Sequence, residues 1–137
     1  MNKQIKIEAI VYQPADKVWE VWTLPQHIML WNHASDDWYT PEAENDLRTG
    51  GSFHYKMAAR DGSFSFDFGG KYDEVIFGQK ISYTLDDGRK VSVDFLKIDN
   101  GVKVAEVFEA EDTNSLEMQK AGWQAILDNF KKHAESV

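Results

Sequence analysis

Apolar and polar residues alternate along most of this chain, and helical spacing replaces that alternation in two places. In the first segment Ile5, Ile7, Ala9 and Val11 share one face and Lys6, Glu8 and Ile10 the other, which predicts a strand. Pro14 then marks a helix start, where its missing N–H is harmless, and Asp16 lies in the first turn, where a negative charge suits the helix dipole. Val18, Val21 and Trp22 follow at helical spacing, with Trp19 close to the same stripe, until Leu24-Pro25 ends or bends the helix. A second short helix from Pro25 to Trp31 places Ile28 and Trp31 together. Asn32 to Thr40 reads as a loop or an irregular strand start, and Glu42 to Leu47 as a strand.

From Gly50-Gly51 onward the period is two. Phe53, Tyr55 and Met57 form one row, Phe64, Phe66 and Phe68 the next, and Tyr72 and Val75 continue it. Asp61-Gly62 signals the hairpin between the first two rows, and Gly69-Gly70 a bulge or sharp bend. Ile81, Tyr83 and Leu85, then Val91, Val93 and Phe95, then Val102, Val104 and Phe108 complete the inner rows, separated by Asp87-Gly88 and Asn100-Gly101. Asn114, with Glu117 three residues later, has the spacing of a capping box and opens a final helix to about His133. Lys131, Lys132 and His133 suit its negative end. Leu116, Trp123, Ile126, Leu127 and Phe130 form its apolar stripe.

The predicted order is one strand, two helices, six strands and a long helix, within one domain over residues 1–137. The fold class is α+β, an antiparallel sheet bent around a terminal helix. Such a sheet can leave a cavity beneath the helix, which makes binding of an apolar or amphipathic small molecule the leading functional expectation.

Several segments resemble one known family across essentially the whole chain. Pro14 to Thr23 resembles its first helix, and Leu24-Pro25-Gln26-His27-Ile28 with Trp31 its second. Asp46 to Phe53, with Gly50-Gly51, resembles its entry to the sheet, Phe66 to Val75 its mid-sheet motif, and Gly122-Trp123 its frequent glycine–tryptophan pair. The chain is similar to the helix-grip, START-like (SRPBCC) superfamily, which includes the birch pollen allergen fold and polyketide cyclases. Within it the chain resembles homologues of the activator of the heat-shock-protein-90 ATPase. The resemblance implies the helix-grip fold; it leaves open lipid carriers, hormone receptors, cyclases and co-chaperone modules. It also invites a chaperone partner, although the chain has no room for the additional N-terminal domain of the eukaryotic activators.

Composition narrows the functional classes. The 137 residues carry 15 Lys and Arg against 23 Asp and Glu, a net charge of −8, with no basic stripe. Phosphate backbones and anionic membrane surfaces are therefore poor partners. The absence of cysteine removes disulfides, thiol catalysis and thiolate metal sites. No apolar run reaches membrane-spanning length, and the N-terminal segment lacks the apolar core of a signal peptide, so a cytoplasmic location is expected. The five Trp, five Tyr and eight Phe suit either a plain aromatic core or a lined pocket. Homodimerisation through an edge strand or exposed aromatics is open.

Among polar residues Glu106 stands out. It lies in phase with Val104 and Phe108, so a regular strand turns it inward, where burial raises its pKa and suits it to general acid chemistry or to anchoring a ligand hydroxyl or amine. A bulge in that strand would instead leave it in water. His33, beside Trp31 with Asp36 and Asp37 near, is an acid–base candidate, a solvated turn being the plainer reading. A cyclase- or hydrolase-type enzyme using Glu106 or His33 is the alternative function. The four histidines lack paired metal-ligand spacing and no serine sits in a nucleophile elbow, so no metal or cofactor is expected and catalytic residues stay unassigned. The expected ligand-binding set is Trp31, His33, Phe53, Tyr55, Phe66, Phe68, Tyr72, Tyr83, Val93, Glu106, Trp123 and Leu127. Gly122 costs about 1 kcal/mol against alanine in a helix. Close packing against the sheet is the simpler explanation for it, room for a ligand the other.

Overall fold

A computed structural model describes residues 3–137. Met1 and Asn2, the first positions of the N-terminal alternation, lie outside them. The elements run β1 (Gln4–Val11), α1 (Ala15–Thr23), α2 (Pro25–Trp31), β2 (Trp38–Asn45), β3 (Ser52–Ala59), β4 (Ser65–Ile76), β5 (Lys80–Leu85), β6 (Lys90–Ile98), β7 (Gly101–Glu109) and α3 (Leu116–Ser136). The seven strands form one antiparallel sheet ordered β1-β7-β6-β5-β4-β3-β2. Every neighbour but β1 follows in sequence, so the sheet is a meander that β1 closes by pairing with the last strand. The curved half-barrel with a long C-terminal helix is the α+β fold that the residue pattern predicts.

Period-two patterning puts Ile5, Ile7 and Val11 of β1 inside, with Ile81, Tyr83 and Leu85, Val91, Val93 and Phe95, and Val102, Val104 and Phe108 from β5 to β7. On the helical side Val18, Val21, Ile28, Leu127, Phe130 and Ala134 are fully buried. Trp22 joins them as an aromatic hinge, its ring 5.0 Å from Trp31 and 4.8 Å from Phe130. The Trp31 indole N–H donates to the Val21 carbonyl at 2.9 Å, tying α2 to α1. The backbone of α3 approaches β1, α1 and α2 closely. Over the middle strands only its side chains reach across.

Several local expectations change. The β3–β4 ladder runs unbroken through Gly69 and Gly70 and the β4–β5 ladder begins at Gly70, so no bulge falls there; the register shift in β4 falls between Tyr72 and Glu74. The glycines serve close approach instead: a Cβ on Gly70 would lie 2.3 Å from the Thr84 carbonyl oxygen, and one on Gly69 2.8 Å from that of Phe53. The last hairpin turns on Asp99 and Asn100, with Ile98 facing Gly101, so Gly101 is the first residue of β7. A side chain at Gly101 would meet the Val11 carbonyl at 2.2 Å. Phe64 precedes β4 and is exposed, packing on the side of Trp38 rather than continuing the inner row. The strand placed at Glu42 to Leu47 begins earlier, at Trp38, and bulges between Tyr39 and Glu42. In α3 the cap is Ser115, whose hydroxyl accepts from the Met118 N–H at 3.1 Å, not Asn114. Leu116 is exposed and leaves the apolar stripe, and the helix continues past His133 to Ser136.

Candidate functional site

Between the inner face of the middle strands and the N-terminal half of α3 lies a cavity of about 320 Å³. This is within the usual range for small-molecule sites, roughly 300–1,000 Å³. The buried side chains of Phe53, Tyr72, Ile81, Tyr83, Glu106 and Leu127 form its floor. Asn114, Met118 and Phe66 line it while remaining exposed, so they mark its opening.

The walls are aromatic. Phe53 packs 5.0 Å from Tyr83, 5.2 Å from Tyr72 and 5.2 Å from Tyr55, a cluster spanning β3, β4 and β5. Opposite, Trp123 of α3 stacks on Phe108 at 3.9 Å and 9°, and presents an edge-type contact to Phe68 at 6.2 Å. That stack holds the indole flat against β7 instead of letting it fill the space. Gly122, one residue earlier, also lines the cavity, and a Cβ built there meets nothing within 4 Å. Close packing against the sheet is therefore not why a glycine stands there. It leaves open volume.

Glu106 is the chemical centre. Its register is continuous, opposite Val93 on β6 and Ile7 on β1, so no bulge rotates it outward, and it is 5% exposed. No hydrogen bond to its carboxyl occurs among the described residues, and its oxygens are not sealed off but border the cavity. Burial without a partner pushes its pKa up to about 8. Burial likewise raises the phenol pKa of Tyr83, Tyr55 and Tyr72, with the Glu106 charge adding to the rise at Tyr83. At neutral pH the floor thus carries uncharged hydroxyl and carboxyl groups.

The rim is polar and internally satisfied. Arg89 bonds Asp87 through Nε at 2.8 Å. Glu111 accepts from the Thr113 N–H at 3.0 Å and from the Asn114 N–H and side chain, which holds its carboxyl below the usual range. Gln119 donates to the carbonyls of Glu111 and Asn114 and accepts from the Glu111 N–H, fixing the loop that leads into α3. No group of three or more His, Asp or Glu able to hold a metal ion occurs among the described residues, and no helix there is long and apolar enough to cross a membrane.

A family model described as Activator of Hsp90 ATPase homolog 1-like protein matches residues 12–135. The chain belongs to this family. Two solution structures carry the same fold at substantial identity. An AHSA1-like protein from Aeromonas hydrophila is 44% identical with a TM-score of 0.93, the match covering 98% of this chain and 93% of that one. A protein from Cytophaga hutchinsonii is 48% identical with a TM-score of 0.85, covering 97% and 92%. A crystal structure from Chromobacterium violaceum, 22% identical with a TM-score of 0.87 over 97% of this chain and 98% of that one, shares the fold alone. No curated protein matches.

In this AHSA1-like chain the fold brings ten of the twelve expected site residues to the cavity lining. Trp31 comes from α2; Phe53 and Tyr55 from β3; Phe66, Phe68 and Tyr72 from β4; Tyr83 from β5; Glu106 from β7; Trp123 and Leu127 from α3. Val93 and His33 are not in the lining. Val93 is fully buried in the core, paired with Glu106 on one side and Ile81 on the other. His33 sits in the loop after α2 with its Nδ1 buried and unpartnered, and its pKa is lowered by burial and then by Arg60, against the opposing Asp36. His33 therefore does not share a pocket with Glu106. His27, which has no partner in sequence, meets His133 at 3.0 Å between their ring nitrogens, and burial beside that ring lowers the His133 pKa.

The AHSA1-like site also includes residues beyond the expected set. Met57 and Ile81 lie in phase with the inner rows, and Ile126 lies on the α3 stripe; those periods were the available signal. Trp22, Thr23, Asn32 and Leu47 enter from helices and loops, and Arg89, Glu111, Asn114, Met118 and Gln119 from the rim. No local period marks the rim group, because tertiary closure of the loop before α3 places it there.

Proposed function

We propose that this AHSA1-like protein binds an apolar or amphipathic small molecule in the cavity between the middle strands and α3. The observation that carries this reading is Gly122. A helix glycine that sacrifices about 1 kcal/mol of helix propensity, and faces empty volume instead of packed backbone, is accounted for by a need for that volume. The aromatic floor and an unpaired buried carboxyl support it, since sites of this kind combine apolar walls with a few placed polar groups. Proteins of this fold in general bind small ligands or act in chaperone-related roles. The family description would favour the second, and we place it after ligand binding because the cavity gives the first a physical motive. A cytoplasmic location fits this reading.

The neutral fluorophore N-phenylnaphthylamine tests it. Wild-type protein should enhance its emission, and Gly122→Leu, whose side chain occupies the open volume, should lose the enhancement while keeping its thermal transition. Equal enhancement by both proteins would place the dye elsewhere and remove the cavity reading.

A further inference from the structure

The wall chemistry around Glu106 narrows the ligand class. Glu106 is a buried residue whose carboxyl borders open volume and has no protein partner among the described residues, and a buried acid is expensive unless something completes it. Arg89 is the one Lys, Arg or His among the described lining residues. It is engaged by Asp87 and reaches the Glu109 carbonyl. The rings of Phe53, Tyr83 and Trp123 line the same cavity, Tyr83 near enough for the Glu106 charge to act on its phenol, and aromatic faces attract cations most strongly where water is excluded. An acid inside an aromatic enclosure with no internal counter-charge is complementary to an ammonium group. A ligand offering only a hydroxyl would be served as well by a glutamine.

We propose that the occupant is an organic amine: a protonated ammonium seated on the Glu106 carboxylate, with an apolar, ring-bearing body against Trp123 and Phe68. This rests on the cavity reading above and adds the ligand's charge. The proton balance is explicit. In the empty protein the acid holds its proton near neutrality, because burial lifts its pKa to about 8. The ammonium pairs with the ionised form, so binding expels that proton to solvent. Affinity then rises about tenfold per pH unit up to about pH 8, levels off, and falls once the amine itself deprotonates near pH 10. The other groups that line the cavity or pair with Glu106 in the sheet do not supply that slope. Tyr83 on β5, Tyr72 on β4 and Tyr55 on β3 have raised pKa values, Val93 on β6 and Ile7 on β1 do not titrate, and α3 contributes Gly122, Trp123, Ile126 and Leu127. At the rim stand Arg89 and Glu111, whose hydrogen bonds from Asn114 and Thr113 hold its carboxyl below the usual range.

Tryptamine, tryptophol and indoleacetate share one indole body and differ in head-group charge. Their binding should be measured by calorimetry between about pH 6 and about pH 8, on wild type, Glu106→Gln and Glu106→Leu. The expected result is tryptamine at least about tenfold tighter than tryptophol near pH 8, indoleacetate weakest, and a tenfold rise in tryptamine affinity per pH unit. Both variants should abolish the preference for tryptamine while retaining tryptophol. The wild-type pH slope is decisive even if a variant does not fold. Tryptophol binding as tightly as tryptamine, or a flat pH profile, overturns the amine assignment and leaves the cavity reading standing. Absence of binding by all three, together with loss of the fluorophore signal, overturns both.

Discussion

Glu106 is gripped by backbone pairing on both sides and by nothing at its carboxyl, so its protonation couples directly to folding. Its folded pKa of about 8 lies above the ordinary carboxylate value, so the folded state keeps a proton that the unfolded state releases. The favourable contribution is fully present below the ordinary value of 4.5 and is lost as pH rises to about 8. Wild type should therefore lose stability relative to Glu106→Gln by about 1.4 kcal/mol per pH unit across that window. Urea unfolding of both proteins at several pH values measures the difference; parallel profiles would mean the carboxyl is solvated or paired. The inward phase of Glu106 was legible from Val104 and Phe108, whereas the absence of a bulge was not, because it is decided by the registers of β1 and β6. His33 illustrates the opposite limit. Loop residues carry no period, so its separation from the cavity emerges only from the fold.

At the scale of elements, Gly70 and Gly122 serve different ends. Gly70 lets β4 and β5 approach, and Gly70→Ala should destabilise the fold, since the new Cβ lies 2.3 Å from a carbonyl oxygen that the ladder cannot move. Gly122→Ala should instead stabilise it by about 1 kcal/mol, because nothing obstructs the methyl and alanine favours the helix. Thermal unfolding of the two variants separates them, and destabilisation by both would deny that Gly122 faces open space. Ser115→Ala should cost about 1 kcal/mol through loss of the α3 cap, with Asn114→Ala affecting the rim loop instead. Element type and order were legible because periods of two and of helical spacing alternate cleanly along the chain. Turn detail was less so: Asn100-Gly101 carries a strong turn signal, yet Gly101 is needed for its closeness to Val11.

For the whole molecule, the decisive arrangement is an asymmetry in how α3 sits. It packs closely on β1, α1 and α2, where Leu127, Phe130 and Ala134 are fully buried, and stands away from the middle strands, where Gly122 and the flattened Trp123 leave space. An α+β sheet around a helix follows from the pattern of the chain, but hollowness depends on side chains failing to meet, which no single segment encodes. Xenon tests it most directly, because it occupies apolar voids without chemical recognition. Under xenon pressure, methyl resonances of Met57, Ile81, Ile126 and Leu127 should shift together, and Gly122→Leu should suppress those shifts. Unchanged methyl resonances at these four residues in the wild-type protein would contradict the account.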